Sequence, residues 1–89
     1  MKTVFLDGDI ADRAALFARL AAHLDFPAHT AANLDALWDV LTTEVEGPFE
    51  IVWRDHARAH AALGADFERF ASLLRQLAEE RRDFRFTLA

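Results

Sequence analysis

Cysteine is absent from the chain, which excludes disulfides, thiolate metal sites and cysteine nucleophiles together. A small unstapled domain of this kind suits a reducing compartment, and the expected location is the cytoplasm. Glycine and proline are sparse, at three and two residues, so there is no glycine-rich phosphate loop and no low-complexity linker. Long apolar runs are missing as well. No window approaches the ~18 residues needed to cross a bilayer, and MKTVFLDGDI at the N-terminus is too short in apolar residues for a signal-peptide core. No membrane partner is expected.

The most informative deficit is of one sign of charge. From Leu20 to Trp53 the chain has no Lys or Arg, while Asp25, Asp35, Asp39, Glu44, Glu46 and Glu50 give that stretch a formal charge of minus six. The remaining nine acids are outnumbered by one by the ten basic residues. Negative charge is therefore concentrated, not spread. A pI near 5.2 argues against nucleic acid as a direct partner, because phosphate neutralisation needs clustered Lys and Arg.

What is present suffices for one core. The 89 residues are 53% hydrophobic and include eight Phe, the material of a single domain over residues 1–89. Thr3 to Leu6 reads as a strand closed by the turn Asp7-Gly8-Asp9. Asp12 caps a helix with Leu16, Phe17, Leu20 and Leu24 at three- and four-residue spacing, which Pro27 ends. After a connector, Thr30 or Asn33 caps a short helix that Gly47-Pro48 stops. Phe49 to Trp53, FEIVW, has the near-continuous hydrophobicity of a buried parallel strand. Asp55 caps a short helix closed by Gly64 as a left-handed residue. Asp66 caps a longer one that buries Phe67, Phe70, Leu74 and Leu77. Phe84 to Leu88, FRFTL, alternates as a strand with one exposed face. The order β, α, α, β, α, α, β calls for parallel strands joined by right-handed crossovers, an α/β fold.

Asn33 to Leu41, NLDALWDVL, carries two demands. Leu34, Leu37, Val40 and Leu41 form an apolar stripe, whereas Asp35 and Asp39 stack two carboxylates on another face. Like charges at this spacing cost a helix roughly 0.2–0.5 kcal/mol, and no nearby cation offsets them. Paired carboxylates can act as acid and base when sunk in a cleft. Here no nucleophile or oxyanion loop accompanies them, so an enzyme is not expected. A solvated face is the ordinary reading, and an interface is the other. Trp38, between the acids, is either a partly buried core residue or a contact residue, and Trp53 belongs to the core. His56 and His60 have a spacing that two metal ligands can share, yet no third ligand is evident. Neither a metal nor a cofactor is called for. Arg81, Arg82 and Arg85, interleaved with Glu79, Glu80 and Asp83, read as a solvated helix end.

On these residues the chain strongly resembles the barstar family, intracellular inhibitors of barnase-type ribonucleases. The likeness extends from NLDALWDVL to the order of elements over essentially all 89 residues. It implies a three-stranded parallel sheet packed with about four α-helices, and a cis bond at Gly47-Pro48. For function it implies an inhibitor of a small basic ribonuclease; the small size and charged surface of the chain suggest a monomer. Asp39 would enter the enzyme's phosphate site and Asp35 its basic rim, with Trp38, Asn33, His29, Thr42 and Gln76 as further contacts. The chain also departs from the family pattern. His29-Thr30-Ala31-Ala32 replaces an aromatic pair, a glycine and an acid; Glu44 replaces a Trp, Val40 a Cys, and Gln76 an acidic residue. These changes leave open a different basic toxin, or a cellular protein, as the target.

Overall fold

The computed structural model describes residues 1–27 and 30–89. Its elements are β1 (Lys2–Leu6), α1 (Arg13–Leu24), α2 (Leu34–Thr43), β2 (Phe49–Trp53), α3 (His56–Leu63), α4 (Ala65–Glu80) and β3 (Phe84–Leu88). The three strands are parallel in the order β1-β2-β3, with β2 in the centre. An α/β fold with three parallel strands and four helices is what both the pattern and the resemblance implied.

Register explains the layering. Val4, Ile51 and Phe86 stand abreast, as do Leu6, Trp53 and Leu88, and they share one face of the sheet. On that face Val4, Leu6, Phe49, Ile51, Trp53 and Phe84 are buried, together with Leu16 and Leu20 of α1, Leu37 and Leu41 of α2, and Phe67, Phe70 and Leu74 of α4. Phe17 meets Phe70 edge-to-face with centroids 5.3 Å apart, and Phe67 lies 4.8 Å from Trp53. Trp53 is fully buried, and its Nε1 donates to the Asp7 carbonyl at 3.3 Å.

The other face carries Thr3, Glu50 and Arg85 in one row and Phe5, Val52 and Thr87 in the next. It is wetter. Phe5 stays 43% exposed beneath the Arg54 guanidinium, 4.4 Å from its ring centre. FEIVW therefore alternates between buried and half-buried residues, unlike the strand covered on both sides that its apolar run predicts. Helices lie over one face only, so Val52 is left partly open to solvent.

Helix ends correct the sequence reading at several points. Asp12 caps α1 as expected, accepting from the Ala15 N–H at 2.8 Å. The helix stops at Asp25, which turns left-handed at φ 52°, before Pro27 is reached. Asp55 is also left-handed and makes no side-chain cap bond. Gly64 closes α3 and opens α4 at once, with φ 59° and ψ −128°, a region open essentially to glycine alone and not the left-handed helical one. Asp66 consequently lies inside the first turn of α4, where it accepts from Arg69 Nη1 at 2.9 Å and caps nothing. The Gly47–Pro48 bond is cis, as the resemblance implied.

Candidate partner-binding site

The site is built on α2. Its N-cap is Asn33, with extended backbone and Oδ1 accepting from the Ala36 N–H at 2.8 Å. Thr30 is engaged elsewhere, its hydroxyl donating to the Pro27 carbonyl at 2.8 Å. Leu37, Val40 and Leu41 are buried, which fixes how the helix is turned. Asp35 and Asp39 are thereby held in solvent, with Trp38 and Thr42 half-buried beside them. Two hydroxyls reinforce the last turn, Thr42 Oγ1 donating to the Trp38 carbonyl at 2.8 Å and Thr43 Oγ1 to the Asp39 carbonyl at 2.6 Å.

Asp35 accompanies Asn33 in the favourable, positive end of the helix dipole. Asp39, one turn later, has no such help. Among the described residues, neither carboxylate forms an ion pair with a Lys, Arg or His side chain. Arg69, which lines the same groove as Asp35, is committed to Asp66 at 2.9 Å. The distant described parts of the chain thus leave the acidic ridge as unneutralised as its own stretch does.

Beside the ridge runs a groove of about 420 Å³ between α2 and α4, lined by Leu34, Asp35, Trp38, Arg69, Ser72, Leu73 and Gln76. Trp38 packs part of its ring on the core and turns the rest into this groove, so the two readings of that residue are compatible. Gln76 lies on the opposite wall. The structure therefore gathers Asn33, Asp35, Trp38, Asp39 and Thr42 on one helix and brings Gln76 to them from α4. His29 lies outside the described residues.

The family model described as "Barstar (barnase inhibitor)" matches residues 1–89. The chain belongs to the barstar family. It is also similar to a Bacillus subtilis (strain 168) protein named "Putative ribonuclease inhibitor YrdF", with 32% identity over 84 residues that cover 93% of this chain and 92% of that protein.

In this member of the barstar family, one residue at the site had no sequence signal. Arg81, expected in a solvated cluster, has a side chain only 16% exposed. Its Nη1 donates to the carbonyls of Leu41 and Val45, both at 2.8 Å, while Nε and Nη2 grip Asp83 at 2.8 and 2.7 Å. The guanidinium also lies over Phe49, 5.0 Å from the ring centre. The cation missing from the acidic stretch is thus supplied from forty residues away, to the backbone at the end of α2 and not to its carboxylates. Only the fold brings it there.

The histidine pair that the sequence offered as metal ligands falls outside the site. His60 Nε2 lies 3.2 Å from Glu68 Oε1, and both His56 and His60 stack on Phe67. Among the described residues, no three His, Asp or Glu side chains converge as metal ligands, and no helix is long and apolar enough to cross a membrane.

Proposed function

We propose that this protein inhibits a small, basic, secreted ribonuclease of barnase type, binding it one-to-one and plugging its active site with α2. The observation that carries the reading is the exposed Asp35–Asp39 ridge, without an ion pair among the described residues, on a helix of a barstar-family chain. Asp39 occupies the enzyme's phosphate subsite, a carboxylate in place of a phosphate, and Asp35 meets the basic rim. Trp38 and Gln76 contribute through the adjoining groove, and Asn33, Thr42 and His29 complete the contact.

The physics is that of deferred compensation. Repulsion between the two aspartates is tolerated in the free protein and relieved when a cationic pocket closes over them. A rigid helix limits the entropy lost on binding, and the concentrated negative potential speeds encounter with a basic enzyme. Chemistry on a substrate has no part in this role; the protein acts from the cytoplasm by occlusion.

Titrating barnase activity with the wild type and with Asp39→Ala tests the reading. Wild type is expected to abolish activity near equimolar ratio. Removing one partner of a desolvated ion pair costs about 3 kcal/mol or more, so the variant should inhibit on the order of 100-fold more weakly. Equal inhibition by the two proteins would refute the assignment of Asp39. If the wild type left barnase untouched and instead captured a basic toxin that is not a nuclease, the alternative target would take its place.

A further inference from the structure

We propose that Arg81 is a positioning residue for the acidic helix, holding the last turn of α2 so that Asp39 is presented in one fixed orientation. The proposal rests on the inhibitory reading of α2 given above. Its basis is a local defect in the helix. Both the Glu44 and Val45 N–H groups donate to the Val40 carbonyl, at 2.9 and 3.2 Å, so the Leu41 carbonyl loses the partner that Val45 would have given it. Carbonyls left open at a helix end must find another donor. Arg81 Nη1 is that donor, and it binds the Val45 carbonyl as well.

The guanidinium is itself fixed. Asp83 grips its far edge with two bonds, and Phe49 floors it. Room for this arrangement comes from Gly47, where a Cβ would collide with the Asp83 carboxylate. One side chain from the α4–β3 connection therefore clamps both Leu41, two residues beyond Asp39 in α2, and Val45 in the α2–β2 connection. Without it the terminal turn can open, and the bonds from Thr43 that hold the Asp39 carbonyl open with it.

Charge and position make opposite predictions. Arg81 is a cation on a protein of net charge −5, so if it acted only through charge, Arg81→Met would tighten binding to a basic enzyme by sharpening the negative field. A positioning role predicts a weaker complex, lost through faster dissociation, since the loosened turn must be reordered on binding.

The test joins amide exchange by NMR on the free protein to binding kinetics with barnase as the probe. In Arg81→Met, amides 43–45 should exchange on the order of tenfold faster, with β2 amides changing far less. Dissociation from barnase should quicken by a similar factor while association does not slow. Arg81→Lys, which keeps one donor to the carbonyls, should fall between the two proteins. Asp83→Asn, whose amide oxygen can keep one of the two bonds to Arg81 and which leaves both carbonyl bonds in place, should speed exchange at 43–45 by less than Arg81→Lys does. Exchange faster by the same factor throughout helices and sheet, unchanged exchange at 43–45, or tighter binding of Arg81→Met would overturn the proposal. Should Arg81→Met not fold, Arg81→Lys against Asp83→Asn decides. Failure of the wild type to bind barnase at all would count against the inhibitory reading instead, and the exchange pattern would then settle the role of Arg81 by itself.

Discussion

Leu37 and Asp39 lie two residues apart on α2, yet alanine at each has a different consequence. Leu37 is fully buried, and its truncation should cost about 2–5 kcal/mol, visible as a lower urea midpoint. Asp39 is exposed, so Asp39→Ala should change stability by no more than about 0.5 kcal/mol; the small gain from relieved repulsion is in that range. A loss of several kcal/mol on Asp39→Ala would reveal an intramolecular partner for its carboxylate. Both residues are legible in sequence, because four-residue spacing of aspartates and helical spacing of leucines depend only on local geometry. Arg81 is not legible. Its partners are main-chain carbonyls about forty positions away, and no residue type marks a carbonyl that will be left open.

At the scale of elements, the caps show how far local signals reach. Asn33→Ala should destabilise by about 1 kcal/mol through loss of the bond to Ala36, whereas Asn33→Asp keeps an accepting oxygen and should remain close to the wild type in chemical denaturation. Asp12 and Asn33 act as the sequence suggested because each precedes an isolated helix start. Asp55 does not, because its backbone is left-handed and its side chain makes no cap bond; Asp66 does not, since α3 and α4 share Gly64 as their junction and the second helix begins before Asp66. Gly64→Ala tests that junction. A Cβ there meets nothing within 4 Å, so the expected loss of about 1–3 kcal/mol is backbone strain alone. The half-buried face of β2 was similarly hidden: an apolar run specifies a strand, but not how many of its faces receive helices.

Across the whole molecule, two carboxylates link stability to pH. Asp7 is held below the ordinary aspartate range chiefly by its hydrogen bond from Arg54; burial pushes the other way, and Arg19 adds a smaller lowering. Asp83 is lowered chiefly by the hydrogen bond from Arg81. Each binds a proton more weakly folded than unfolded, so each contributes stability above about pH 4 that is lost as pH falls through the lowered value. Asp7→Asn or Asp83→Asn should flatten the acid limb of a stability–pH curve measured by urea midpoints, modestly, because both groups are substantially solvated and so screened. An acid limb unchanged in both variants would remove these pairs from the account. The separation of charge along the chain has its own expected outcome: association with a basic enzyme should slow steeply as ionic strength rises, because steering acts over a Debye length.

The sequence alone determined the order of the elements, the core faces of α1, α2 and α4, and the helix on which two aspartates stand one turn apart. All of these follow from periodicity and charge within a few residues of each other. Tertiary structure decided the rest: which strand is central, that only one face of the sheet is covered, that Arg69 turns to Asp66 and leaves Asp35 without an ion pair among the described residues, and that Arg81 closes the end of α2. Those outcomes depend on contacts between residues distant in the chain, and a contact of that kind exists only after the backbone has been placed.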